Sequence, residues 1–360
     1  MTERYVVIMA GGKGERFWPL STSKHPKQLL DLVGEKTLIA QAVERLEGVL
    51  PVQNIYVLTN IDLVDATRKA LPTLSPSNIV GEPIGRDTAA AVACSAALVQ
   101  ARNPDAVFAI LTADQVMGNI EQFKTTLNAS MSLASTNNIL LTIGIKPRFP
   151  ATGFGYIEIG KNVETIDQID FFQVRTFVEK PDLIRAKTYL SHGGFYWNSG
   201  MFIWSVSSLY KAFLAHDPER ATLMNTLTKY ARDGKIDEGM ALTYPSLKKI
   251  SIDYSLMEKA DNIVMAGGTF AWDDVGAWPA LENHFPQDQQ NNTSIGEVES
   301  IDSSNNLIYS KNHLTALIGV ENLMVVQAEG VTLVCPKDRA QDIKQLLENL
   351  RKSDKYTHLL

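Results

Sequence analysis

The chain has 360 residues, 45% of them hydrophobic, which is enough for one large domain with an appendage or for two domains with ample core. Its 34 basic residues against 40 acidic ones, net -6, exclude a broad nucleic-acid surface and leave small anionic ligands to a few placed cations. No run approaches the roughly 20 apolar residues that span a bilayer. The start, Met1-Thr2-Glu3-Arg4, lacks a signal peptide's apolar region. Cys94 and Cys335 have no metal-ligand spacing, so a reduced, cytoplasmic protein is expected.

In chain order, strands are predicted at 6–10, 55–59, 107–111 and 139–145, alternating with helices at 38–46, 63–71, 88–102 and 120–137. This alternation predicts an α/β fold, Rossmann-like: a mixed, mainly parallel sheet with helices on both faces and ligands at the carboxyl ends of its strands. Strands at 155–159 and 171–178 read as an inserted antiparallel section. A helix at 182–190 follows, then a turn at Asn198-Ser199-Gly200 into a strand at 201–204. Residues 206–232 and 254–260 read as helical, with a strand at 263–266. The polar stretch 287–292 marks a boundary. The expected domains are 1–286, with a nucleotide half near 1–145 and a sugar-binding section near 146–286, and a small all-β unit at 287–360. The helix predicted at 341–350 puts Ile343, Leu346, Leu347 and Leu350 on one face, to pack on its own domain or on a second subunit.

The first strand opens into Ala10-Gly11-Gly12-Lys13-Gly14-Glu15-Arg16. Glycines at 11, 12 and 14 are expected to take positive φ and aim N–H groups at an anion. The Walker spacing fails because Gly14 is followed by Glu15, and the dinucleotide fingerprint fails at Phe17. With Arg16 inside the loop and Lys27 after it, a triphosphate is the ligand that fits. Asp114 follows the strand at 107–111 and Asp274 lies in a late loop. Two such carboxylates suit Mg²⁺, which takes one or two protein carboxylates plus phosphate oxygens. Glu179, Lys180, Asn198 and Gly153, with Tyr196-Trp197, suit a sugar phosphate. No histidine or cysteine has a nucleophile's partner, so the chemistry expected is attack of an incoming phosphate on a nucleotide's α-phosphorus, with pyrophosphate leaving.

These motifs together resemble the sugar-1-phosphate nucleotidyltransferase family, in its guanylyltransferase branch. Residues 10–21 resemble its pyrophosphorylase loop, with Arg16 and Lys27 in its cation positions. Residues 81–89 are similar to its base-holding segment, and the two segments together imply nucleotide contacts from Ala10, Gly11, Gly12 and Gly14 of the loop and from Glu82, Gly85, Arg86, Asp87 and Thr88. Phe177 to Pro181, Trp197 to Phe202 and Ser251 to Tyr254 resemble its sugar-side motifs, and Trp272 to Trp278 matches the segment of the second metal aspartate. The resemblance implies Arg16, Lys27 and Asp114 as catalytic residues, and Asp114 and Asp274 as Mg²⁺ ligands. It implies GTP and α-D-mannose 1-phosphate as substrates, with GDP-mannose and pyrophosphate as products. A left-handed β-helix for the tail and a homodimer are implied too, with no nucleic-acid or membrane partner. The sequence departs from the family's pattern at Glu15, Asp87, Gln115, Asp273 and Ala277. Guanine's N1–H and N2 amino group need an acceptor, and either Glu82 or Asp87 suits. The chain ends too soon for the phosphomannose isomerase domain of longer bacterial relatives. Another sugar 1-phosphate or nucleotide is the alternative reading. A catalytically silent regulatory protein that binds GDP-mannose is a further one, against which the presence of all four charged residues argues.

Overall fold

The computed structural model describes residues 2–360. Two compact units emerge. The first runs through Gly11 and takes Ala42–Ala113 and Met117–Trp272; the second takes Gly12–Gln41, Asp114–Val116 and Asp273–Leu360.

The strands of the first unit are β1 (Arg4–Ala10), β2 (Ile55–Asn60), β3 (Ile79–Glu82), β4 (Val107–Thr112), β6 (Leu140–Ile145), β7 (Tyr156–Ile166), β8 (Ile169–Val178), β9 (Phe195–Ser205) and β10 (Ile263–Gly268). Two-residue strands β5 (Val116–Met117) and β11 (Trp272–Asp273) lie where the chain passes from one unit to the other. The nine long strands form one sheet in the order β3-β2-β1-β4-β9-β6-β10-β8-β7. Among the described strands of this sheet, β8 and β9 alone run against the direction of β1. The β1 run Val6-Val7-Ile8 is fully buried, as a strand covered on both faces requires. Helix α3 (Thr88–Arg102), after α1 (Leu38–Glu44) and α2 (Val64–Ala70), is buried nearly all round because its alanines let neighbours approach closely.

The inserted section is antiparallel as expected: β7 and β8 form a hairpin, closed by Asp167 and Gln168 at positive φ, and β8 pairs antiparallel with β10 in the same sheet. Two expectations are corrected. Asn198-Ser199-Gly200 is not a turn before a strand but a bulge inside β9, where the register against β6 shifts and Gly200 takes φ +73°. The run 254–260 starts instead as a π-helix, Asp253–Met257.

In the second unit, β12 (Thr293–Ile301), β13 (Leu307–Ile318) and β14 (Leu323–Ala328) stack in parallel, and β15 (Val331–Pro336) closes antiparallel on β14. Parallel stacking of consecutive short strands is the geometry of a β-helix-like coil. Buried asparagines stitch its turns: Asn292 Oδ1 accepts from the Asn306 N–H, and Asn306 Oδ1 from the Leu323 N–H. Helices α4 (Ile120–Thr136), α5 (Leu183–His192), α6 (Val206–His216), α7 (Pro218–Arg232) and α8 (Ile236–Thr243) belong to the first unit and α9 (Ile343–Leu350) to the second. The apolar face of α9 buries Ile343 and Leu347 in a cluster with Phe17, Trp18, Trp278 and Tyr309, so that face is largely filled from within its own unit. Among the described residues no helix is long and apolar enough to cross a membrane.

Candidate active site

In the second unit the glycine loop is set by one position. Gly14 takes φ +63°, whereas Gly11 and Gly12 do not adopt the positive φ expected of them. A Cβ on Gly14 would overlap Lys27 Cβ and sit 2.7 Å from the Lys27 nitrogen, so the loop is closed directly onto Lys27. Glu15–Phe17 then form a single 3₁₀ turn. Lys27 is buried; its Nζ donates to Asp114 Oδ2 at 3.0 Å and to the Asp274 carbonyl, and lies 6.0 Å from the Phe17 ring centroid. Arg16 Nη1 donates to the Gly276 carbonyl at 3.4 Å, and its Nε is buried with no partner among the described residues.

The two adjacent aspartates behave differently. Burial pushes Asp274 up to about 6, Lys27 and Arg16 pull it down, and the charges of Asp273 and Asp114 push it further up. Burial also acts on Asp273, but hydrogen bonds from His284, the Val275 N–H and Asn283 hold it below the usual range. Asp273 is thus committed to its own loop, and Asp274 is the carboxylate grouped with Asp114, Lys27 and Arg16. A Cβ on Gly276 would stand 2.8 Å from Asp274 Oδ2, so a larger residue there would shift that carboxylate.

In the first unit β3 ends in Glu82, which is 8% exposed. Its Oε1 has no partner among the described residues, and burial pushes its carboxyl up to about 7, against a hydrogen bond with Tyr244. A Cβ on Gly11 would lie 3.8 Å from Glu82 Oε2. Asp87 is exposed and occupied: it caps α3, its Oδ1 accepting from the Thr88 N–H at 2.8 Å. Arg86 donates to the carbonyls of Tyr244 and Pro245, and Thr88 Oγ1 accepts from the Ile252 N–H. Both therefore tie the 244–252 segment to the start of α3. Gly85 is exposed with open space around it, and Ala10 O accepts from Thr59 Oγ1 at 3.0 Å.

Glu179, Lys180 and Asn198 do come together. Lys180 Nζ meets Glu179 Oε1 at 2.7 Å, and Asn198 Nδ2 donates to Asp253 Oδ1 at 3.1 Å while its Oδ1 accepts from the Gly200 N–H. Gly153 is exposed with open space; Gly155 instead closes on the group, since its Cβ would stand 2.5 Å from Glu179 Oε2. Sequence reasoning misses Asp253 as a site residue. Burial, then the Glu179 charge, push it up to about 7, with Lys180 and Asn198 pulling it down. The signal for it lies in Ser251-Ile252-Asp253-Tyr254, but nothing local distinguishes that aspartate from a helix cap.

A carboxylate pair with two cations in one unit, and a buried carboxylate with a polar cluster at the ends of a Rossmann-like sheet in the other, define a nucleotidyl-transfer protein. The chain belongs to the nucleotidyl transferase family: that family's model matches residues 5–291, and a MannoseP isomerase/GMP-like beta-helix model matches 296–350. It is 36% identical over 356 residues to a mannose-1-phosphate guanylyltransferase of Escherichia coli, covering 97% of this chain and 74% of the relative. It is 33% identical to the alginate biosynthesis protein AlgA of Pseudomonas aeruginosa, covering 96% and 71%. A solved structure from Thermus thermophilus, described as mannose-1-phosphate geranyltransferase, matches with TM-score 0.85 and 32% identity over 97% of this chain and 100% of that one.

Proposed function

We infer that this chain transfers GMP from GTP to α-D-mannose 1-phosphate. A phosphate oxygen of the sugar phosphate bonds to the α-phosphorus of GTP, the bond from that phosphorus to the α,β-bridging oxygen breaks, and pyrophosphate leaves with the electron pair. The observation that carries this reading is the grouping of Arg16 and Lys27 with Asp114 and Asp274, on a chain whose relatives are named mannose-1-phosphate guanylyltransferases. Among the described residues no group of three or more His, Cys, Asp and Glu side chains forms a metal cage. Asp274, raised first by burial, and Asp114 meet at Lys27, whose Nζ donates to Asp114 Oδ2 and to the Asp274 carbonyl; such a pair suits a divalent cation that takes its remaining ligands from phosphate and water, so Asp114 and Asp274 are assigned to Mg²⁺. When bound, that ion supplies charge neutralisation on phosphate oxygens. Arg16 and Lys27 meet the charge that builds on the departing pyrophosphate; Lys27 is held in place by Asp114 and the Asp274 carbonyl, so it needs no reorganisation as that charge develops. Glu82, with its unused Oε1, is assigned to the guanine N1–H and N2 amino group. Glu179, Lys180, Asn198 and Asp253 are assigned to the mannose phosphate.

Pyrophosphate release measured over a matrix of nucleoside triphosphates and sugar 1-phosphates tests the reading. Turnover with GTP and mannose 1-phosphate is expected; turnover confined to another pair replaces the substrate assignment, and binding without turnover refutes catalysis.

A further inference from the structure

The loop that carries Arg16 is held on both sides by the last residues of the chain. Before Arg16, Glu15 Oε1 accepts from Arg351 Nη2 at 2.6 Å. After it, the indole Nε1 of Trp18 donates to the Leu359 carbonyl at 2.8 Å, and Ser23 Oγ donates to Leu360 O at 2.9 Å. Beneath these contacts α9 seats Ile343 and Leu347 in the cluster that holds Phe17 and Trp18.

Arg16 has little of its own to fix it. Its bond to the Gly276 carbonyl is at the long limit for a hydrogen bond, and its Nε has no partner among the described residues. The backbone under it is one 3₁₀ turn, too short to hold itself. The arginine therefore stands where residues 15 to 18 put it, and those residues are held by the buried Phe17 against Trp278, by the Trp278 indole donating to Trp18 O at 3.0 Å, and from the far end of the chain by Arg351 and Leu359. The ion pair is partly exposed, 47% at Arg351 and 24% at Glu15, so it contributes little to global stability. Its effect falls on the placement of one turn. The beta-helix family model stops at residue 350, so the strap from Arg351 onward lies outside what that model describes.

We propose that Arg351, together with the 352–360 segment, is a positioning element for the Arg16 loop, Arg351 acting through Glu15 and Leu359 through Trp18. This rests on the reading of Arg16 as the group that meets the leaving pyrophosphate. Misplacing such a donor by a fraction of an ångström lowers turnover without removing a substrate contact.

The test compares the full chain with Arg351→Ala, Arg351→Lys, the exchanged pair Glu15→Arg with Arg351→Glu, and a chain ending at Ser353. Initial rates with GTP and mannose 1-phosphate are read alongside hydrogen exchange of the backbone amides of residues 13–18 and the melting temperature. Arg351→Ala is expected to lower kcat about tenfold with KM for mannose 1-phosphate within about twofold, Arg351→Lys to keep most of the rate, and the exchanged pair to recover most of the loss. Exchange at residues 13–18 is expected to quicken about tenfold while β1 is unchanged. The proposal is overturned if kcat and exchange in Arg351→Ala both stay within about twofold of the parent, or if kcat falls and no partner exchange restores it. Should the parent release no pyrophosphate from any substrate pair, the functional reading falls, and exchange at residues 13–18 alone decides the strap.

Discussion

Lys27 Nζ donates to Asp114 Oδ2 at 3.0 Å, with the lysine side chain 6% exposed and the aspartate 39% exposed. A buried cation thus holds a carboxylate that still faces solvent, and the pair joins the glycine loop to the segment after β4. Lys27→Met is expected to lower kcat/KM about a hundredfold, on the order of 3 kcal/mol of transition-state stabilisation, and Arg16→Ala by a similar factor. Lys27→Arg is expected not to rescue, because the slot is walled by Gly14 and the Phe17 ring. Initial-rate measurements of pyrophosphate release decide both.

Gly14→Ala forces a side chain into the left-handed region and onto Lys27 Cβ. A cost of roughly 1–3 kcal/mol is expected from the backbone alone, with activity lost beyond what the stability change explains. Gly12→Ala, with open space around its Cβ, is the control and should leave the melting temperature near the parent's.

Glu82 carries a pH signature of definite sign. Its carboxyl is raised from 4.5 to about 7 by burial, so the folded protein holds that proton more tightly than the unfolded chain. The stability it contributes is full below the unfolded pKa and is lost as pH rises through the window up to about 7. Glu82→Gln removes that loss, so in the absence of ligand its advantage in melting temperature over the parent should grow from about pH 5 to about pH 8. Guanine's donors need the ionised form, so KM for GTP in the parent should fall with rising pH across the same window. In Glu82→Gln it should be flat, with discrimination between GTP and inosine triphosphate reduced.

Asp253 holds Asn198 in place by accepting from its Nδ2, and Asp253→Ala removes that acceptor and leaves the Asn198 amide without it. KM for mannose 1-phosphate is expected to rise about tenfold while KM for GTP is unchanged. Equal shifts in both would take Asp253 off the sugar side.

Removal of divalent ions by a chelator should abolish turnover, with added Mg²⁺ restoring it. Asp274→Asn should raise the Mg²⁺ concentration needed for half-maximal rate, whereas Asp273→Asn should mainly lower the melting temperature, because that carboxylate is spent on His284, Asn283 and the Val275 N–H.

Much of the fold was legible because its signals are local. The apolar runs of β1, β2 and β4 and the alanine-rich α3 declare their periods within a few residues. The bulge in β9 was misjudged for the opposite reason: pairing partners distant in sequence decide whether Asn198-Ser199-Gly200 turns the chain or bulges a strand. Strands β3 and β12 went unseen. The first is four residues long, and the second carries glutamates and serines on its open face.

The sequence by itself determined the glycine loop, the charged residues in and after it, and the family, because these depend on residue types at fixed spacings along the chain. Only the tertiary structure decided which of them act together. It separated Asp274 from Asp273 and Glu82 from Asp87, since each carboxylate's fate depends on burial and on donors brought from elsewhere in the chain. It also set Arg351 against Glu15, 336 residues apart, a contact that only folding can make.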